Sequence, residues 1–344
     1  MKSTFLYGYF VLAGAMLVAG CHSSSSSTTT LGNWIRRSDF NGVARSGAVC
    51  FVIGDTAYVG TGFDGTNRLS DFWKFDPTVN GGYGGWIQIA DFPGTARNGA
   101  VGFGVNGKGY VTTGYDGNNY LNDCWMYDPA TNSWTQKASM PTNGRFGAVA
   151  FALDGKGYVT TGYDGNYLKD FWEYDPATDQ WTLKPNSLGG TKRMYAMSFV
   201  INDTAYVVGG VNNGSLVADF WAYDPSQDTW IRKRDIANTS SASYDDNYTS
   251  IERQQGAAFV INDTAYIATG MAGSNLNTTW QYDPKVDLWT QRTNIEFQPR
   301  VGAVGFSVKN RGFIALGTPS QGSLIEYDDL REFQPNVPDN TTDD

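Results

Sequence analysis

Arg145-Phe-Gly-Ala-Val-Ala-Phe-Ala-Leu153, then Asp154-Gly155-Lys156-Gly157, Tyr158-Val-Thr-Thr161, Gly162-Tyr163-Asp164-Gly165 and Asp170-Phe-Trp-Glu-Tyr-Asp-Pro176, closing at Trp181, decide how this 344-residue chain folds. Residues 147–153 are small and apolar, as a strand buried against its neighbours requires. An Asp-Gly pair follows, a strong hairpin signal. Tyr158 opens a returning strand, a second Gly-containing turn leads into the aromatic strand 170–174, and Asp175-Pro176 presets the next turn. Trp181 anchors a fourth strand, so one copy of the pattern makes a four-stranded antiparallel blade.

The pattern occurs six times. Its arginines are Arg45, Arg97, Arg145, Arg193, Arg253 and Arg300; its second strands begin around Tyr58, Tyr110, Tyr158, Tyr206, Tyr266 and Phe313. The interval is about 48 residues, with two longer ones, which is the repeat length of a propeller blade. The tryptophans settle how the ring closes. Trp86, Trp134, Trp181, Trp230 and Trp289 end five repeats, whereas the sixth runs through Tyr327-Asp328 without one. The segment Trp34-Ile35-Arg36-Arg37-Ser38-Asp39 matches Trp230-Ile231-Arg232-Lys233-Arg234-Asp235. The expected fold is therefore an all-β, six-bladed propeller whose sixth blade is closed by the N-terminal strand around Trp34, leaving no free edge at the seam.

From about Trp34 to Asp328 these Tyr-Val-x-x-Gly, Asp-Phe-Trp-x-Tyr-Asp-Pro and Trp positions resemble the kelch family. One departure stands out. Kelch blades usually end the second strand in Gly-Gly, but only Gly209-Gly210 does so here; the others read Thr61-Gly62, Thr113-Gly114, Thr161-Gly162, Thr269-Gly270 and Leu316-Gly317. Kelch-like propellers include galactose oxidase, whose copper site needs two His and two Tyr. The one His of this chain is His22, so copper-radical oxidation, His-based acid-base chemistry and a Ser-His-Asp triad are excluded. No cofactor and no metal are expected: the turns opened by Asp64 and Asp116 lack the alternating carboxylates of a calcium loop.

Residues 1–20 read as a signal peptide ending in Val18-Ala19-Gly20, and Cys21 as the lipidated first residue of a bacterial lipoprotein. Residues 21–30 form a Ser/Thr tether, residues 31–330 the propeller, and residues 331–344 an acidic disordered tail. This places the protein on the cell envelope, at the outer membrane, held only by its lipid. Cys50 and Cys124 fall in different strands of different blades and are expected to be buried thiols, not a disulfide. With 25 Lys+Arg against 34 Asp+Glu and no basic run, nucleic acid is excluded as a partner.

The arginines sit in the interblade turns, on the face that also carries Tyr115-Asp116-Gly117 and Tyr163-Asp164-Gly165. An Arg present in all six repeats reads as architecture, bonded to carbonyls or to an Asp of the adjacent blade; function needs asymmetry. The sequence offers one long asymmetric segment, the turn between Trp230 and Arg253, with Tyr244, Asp245, Asp246 and Tyr248. These four, with Tyr115, Asp116, Tyr163 and Asp164, are the expected contacts to a protein or glycan partner. The leading expectation is a non-catalytic binding module. The alternative follows from a resemblance: sialic acid mutarotases are six-bladed kelch propellers whose reaction needs carboxylates and Arg, for which Glu252 and Arg253 are the candidates, with Glu296 second. The Gly-rich insertion at residues 80–85 lies on the opposite face and is expected to carry no site.

Overall fold

In the turn after the first strand of the third repeat, Asp154 and Gly155 both take left-handed backbone (φ 49° and 72°), the geometry that lets a two-residue turn follow the twist of its strands. Asn106-Gly107, Asn202-Asp203, Asn262-Asp263 and Lys309-Asn310 repeat it. Each turn joins two strands paired in register, and the blades follow. The computed structural model of the chain describes Met1 and residues 31–342. It contains six four-stranded antiparallel sheets. Blade three, for example, is Val149–Leu153, Lys156–Thr160, Phe171–Asp175 and Gln180–Leu183. The signal peptide, Cys21 and the tether lie outside the described residues.

One aromatic pair forms the spine of each blade. Phe51, Phe103, Phe151, Phe199, Phe259 and Phe306, in the first strands, stack on Tyr58, Tyr110, Tyr158, Tyr206, Tyr266 and Phe313 of the second, with centroids 5.2–5.5 Å apart. The phenylalanines press against the next blade, which is why that blade's second strand needs a small residue there. A Cβ on Gly109 would fall 1.9 Å from the Phe51 ring, and one on Gly157 2.1 Å from Phe103. Burial of such large rings dominates the favourable side of folding.

The seam closes as expected. Blade six is ordered Leu31–Arg36, Leu330–Pro338, Arg311–Ala315, Val304–Val308, with the N-terminal strand outermost. Trp34 is fully buried, set edge-on to Phe259 and Phe297 of blade five, and its indole N–H donates to Thr279 Oγ1 (3.2 Å). Its likeness to the Trp230 segment extends to the ion pairs Arg36–Asp39 and Arg232–Asp235.

One expectation needs correction here. The expected tail from residue 331 begins instead inside a strand, Leu330–Pro338, which is the third strand of blade six. Leu330-Arg331-Glu332-Phe333-Gln334-Pro335 is a degenerate copy of Phe-Trp-x-Tyr-Asp-Pro, with Arg331 in place of Trp. The substitution is compensated locally: Arg331 pairs with Asp329 (2.9 Å) and Glu332 accepts from Arg37 and Arg311 (2.6 Å each). Arg311 also donates to the carbonyls of Pro77 and Gly82, so the Gly-rich insertion of blade one is a second clasp on the seam.

Candidate active site

The repeated arginines are buried to within 1% exposure and each clamps its own blade. Arg45 holds Asp71 with two hydrogen bonds of 2.7 Å and donates to the carbonyl of Thr61; Arg97 with Asp123, Arg145 with Asp170 and Arg300 with Asp329 repeat the arrangement, whereas Arg193 donates to one carboxylate oxygen and to the backbone carbonyl of Asp219. The pairing lies within one blade, not across to the adjacent one as the sequence suggested. Burial pushes the carboxyls of Asp71, Asp123, Asp170 and Asp329 up, but the guanidinium bonds outweigh it and leave them below the ordinary value. The clamp explains the departure from Gly-Gly. Thr61, Thr113, Thr161, Thr269 and Leu316 all have left-handed backbone (φ 56–66°), and an Arg Nη1 bonded to each carbonyl holds it there.

Adjacent blades are joined by backbone. Gly62 N–H donates to Arg97 O, and the same bond recurs around the ring to Gly317 N–H and Arg45 O. Nearer the axis, the second residue after each Arg forms a closed circle of six amide bonds: Gly47 donates to Gly302, Gly99 to Gly47, Gly147 to Gly99, Tyr195 to Gly147, Gln255 to Tyr195 and Gly302 to Gln255, at 2.7–3.2 Å. All six have φ of 55–64°. Four blades use glycine, which takes this backbone freely; blades four and five use Tyr195 and Gln255, at about 1–3 kcal/mol of strain each.

Above this circle opens a cavity of about 470 Å³ on the axis. Its two sides differ. Over blades three and four Tyr167 and Tyr195 line it, backed by an aromatic cluster outside the lining: Tyr163 meets Tyr167 (5.2 Å), Tyr120 stacks on Phe146 (5.4 Å), and Phe146 meets Tyr115, Tyr163 and Tyr195 at 5.7–6.1 Å. Over blades five, six and one the lining is polar, with Gln255 accepting from Gln321 Nε2 (2.9 Å) and Glu326 facing Ser46. Glu326 comes from the loop between Ala315 and Leu330, the longest of its kind in the six blades. Its Oε1 accepts from Ser46 Oγ at 3.3 Å, while its buried Oε2 has no partner. Burial, helped by the charge of Asp64 and opposed by Ser46, pushes its pKa up to about 7. Tyr195, across the axis, is pushed up to about 12, chiefly by burial, and stays a proton donor at neutral pH. A carboxyl poised near neutrality and a phenol on opposite sides of a sugar-sized cavity can exchange protons with hydroxyl oxygens.

The expected contacts are distributed differently. Tyr115 and Tyr163 belong to the aromatic cluster behind the cavity and are not in its lining, and Asp116 and Asp164 cap their own turns through the amides of Asn118, Asn119 and Asn166. In the long loop, Asp245 is buried and accepts from the amides of Thr239 and Ser240. Tyr248 is buried, its hydroxyl accepting from Trp289 N–H, and Ile236 and Ile251 join it in the core between blades four and five. Tyr244 lies under Arg234 (4.3 Å), so only Asp246 stands fully in solvent. The loop fills a gap in the scaffold and does not line the cavity.

Glu252 is raised by burial and by Asp235, away from the cavity, and Glu296 lines a groove with Asp339 on the outside of the ring. Arg253 is fully buried and differs from the other five: Thr278 occupies the position of their Asp, and all its donors end on Ile251, Thr269, Thr278 and Ser250 oxygens. Burial pulls its pKa down. Among the described residues it is a charge without a counter-ion, not a ligand group. Thr278→Asp is therefore expected to raise stability by about 1–2 kcal/mol in urea denaturation; an unchanged or lower midpoint would count against the pairing rule.

The Kelch-repeats domain profile of KLHDC2, KLHL20 and DRC7 matches residues 43–192, and the kelch-motif profile matches residues 193–235. The chain belongs to the kelch-repeat propellers. By sequence, this kelch chain is similar to the N-acetylneuraminate epimerase of Pasteurella multocida, 41% identical over 87 residues, 24% of this chain and 21% of that protein. It is also similar to the enzyme of that name from Haemophilus influenzae, 36% identical over 96 residues, 26% and 24% of the two chains. The matches thus span less than a quarter of these relatives' length. Among solved structures, that of YjhT superposes with a TM-score of 0.69 at 19% identity, over 86% of this chain and 96% of that one, a likeness of fold. The relatives' names overturn the expectation of a non-catalytic binding module.

Proposed function

We propose that this propeller exchanges the anomers of a free sugar held in the axial cavity. The observation that carries the reading is Glu326, a carboxyl with one unpartnered oxygen and a pKa near neutrality, placed where the sixfold symmetry fails. The names of the sequence relatives support it. In the reaction, Glu326 Oε2 takes the proton of the anomeric hydroxyl as the bond from the anomeric carbon to the ring oxygen breaks, and the Tyr195 hydroxyl protonates that oxygen. The carbonyl turns about its single bond, the ring oxygen adds to the other face, and both protons return. No redox partner is needed. Phe63, Tyr167 and Tyr195 of the lining offer ring faces on which a sugar stacks. The pattern of residues 1–30 supports an envelope location with Cys21 as the lipid anchor. Polarimetry of a freshly dissolved single anomer tests the proposal: mutarotation is expected to accelerate with the protein present, and a rate equal to buffer would reject it.

A further inference from the structure

Resting on that reading, we propose that the sugar is uncharged, a neutral aldose or N-acetylated hexose, and not an acid sugar. A sugar carboxylate needs a cation or a nest of free amides, and the cavity offers neither. Among the described residues, Glu326 is the one charged residue of its lining. The six repeated arginines are all consumed inside the blades. Both circles of backbone amides around the mouth are also spent. The amides of the inner circle donate to one another, and those of Ser46, Asn98, Phe146, Met194, Gln254 and Val301 donate to carbonyls of the neighbouring turns at 2.9–3.1 Å.

The basic group that touches the lining, through Asn98 and Phe63, is the half-buried Arg68. Its Nε donates to Asn98 Oδ1 and Tyr115 O, its guanidinium lies between the Phe63 and Tyr115 rings, and a Cβ on Gly117 would fall 2.6 Å from Nη1, so it packs under the Gly117 turn and is not itself part of the lining. Asp64, Asp116 and Asp164 surround the mouth on a chain of net charge -9. The positive evidence is at the inner circle. The two positions where strained backbone replaces glycine present a phenol and an amide, groups that recognise hydroxyls and N-acetyl oxygens. A second carboxylate brought beside Glu326 would meet like charge.

The test measures anomer exchange by the full chain on glucose, galactose, N-acetylglucosamine and N-acetylneuraminate. At least one neutral sugar is expected to exceed N-acetylneuraminate in kcat/KM by about tenfold or more. Gln321→Arg, in an exposed loop, and Gln255→Arg should each lower the KM for N-acetylneuraminate without lowering that for the neutral sugar, an effect no structural role produces. Preference of the native chain for N-acetylneuraminate, especially one lost in Arg68→Ala, overturns the inference and leaves the proposed activity standing. Exchange of none of the four sugars rejects both.

Discussion

Trp34→Ala is expected to destabilise the propeller by about 3–5 kcal/mol, the range for emptying the site of a fully buried aromatic side chain. The indole is 0% exposed and reaches into blade five, although the strand that carries it belongs to blade six. Its loss therefore weakens both the fourth strand and the contact between the two blades. Urea denaturation of the full chain reads the effect. Removing residues 31–37 altogether should go further, exposing Leu330–Pro338 as an open edge and promoting edge-to-edge association. A cost below about 1 kcal/mol for Trp34→Ala would show that the seam is held elsewhere.

Much of this seam was legible in the sequence, because Trp34 and its neighbours copy the Trp230 segment residue by residue. The third strand of the same blade was not. Strand 330–338 has traded the aromatic pair for Leu330-Arg331, and the ion pairs that make such a trade tolerable join residues far apart in the chain, Glu332 to Arg37 across the seam. The same limit applies to the long loop. Residues 236–251 have the polar composition of an exposed segment, yet Ile236, Tyr248 and Ile251 fill a gap between blades that the repeat pattern does not display. For the site, the sequence held a usable signal that the regularity of the arginines obscured. The second residue after each Arg reads Gly, Gly, Gly, Tyr, Gln, Gly, and the two exceptions mark the cavity. Glu326 carried no such mark, since its loop lies in the repeat that departs most from the others.

Glu326→Gln is expected to lower the turnover of sugar exchange by about 10²- to 10⁴-fold, the usual contribution of a positioned acid-base group. The substitution keeps shape and leaves the Ser46 hydrogen bond possible, so the fold should persist. A second readout is thermodynamic. In the folded chain Glu326 holds its proton up to about pH 7, whereas unfolded it releases it around its ordinary 4.5. Between these values the folded state binds more protons, so this group's stabilising contribution is complete below pH 4.5 and is lost as pH rises through 7. That loss should vanish in Glu326→Gln. The clamped Asp71, Asp123, Asp170 and Asp329 act in the opposite sense and in another window: their contribution is present above their ordinary 3.8 and is lost on acidification below it. Exchange itself needs the carboxylate to begin the cycle, so its rate should climb as pH passes through 7.

The most direct measurement is exchange NMR on an equilibrated neutral sugar, with native protein and Glu326→Gln compared at equal concentration. Cross-peaks between the two anomers with the native chain, absent with a folded Glu326→Gln, are what a proton-transferring axial site produces. Equal cross-peaks with both proteins, or none with either, would contradict it.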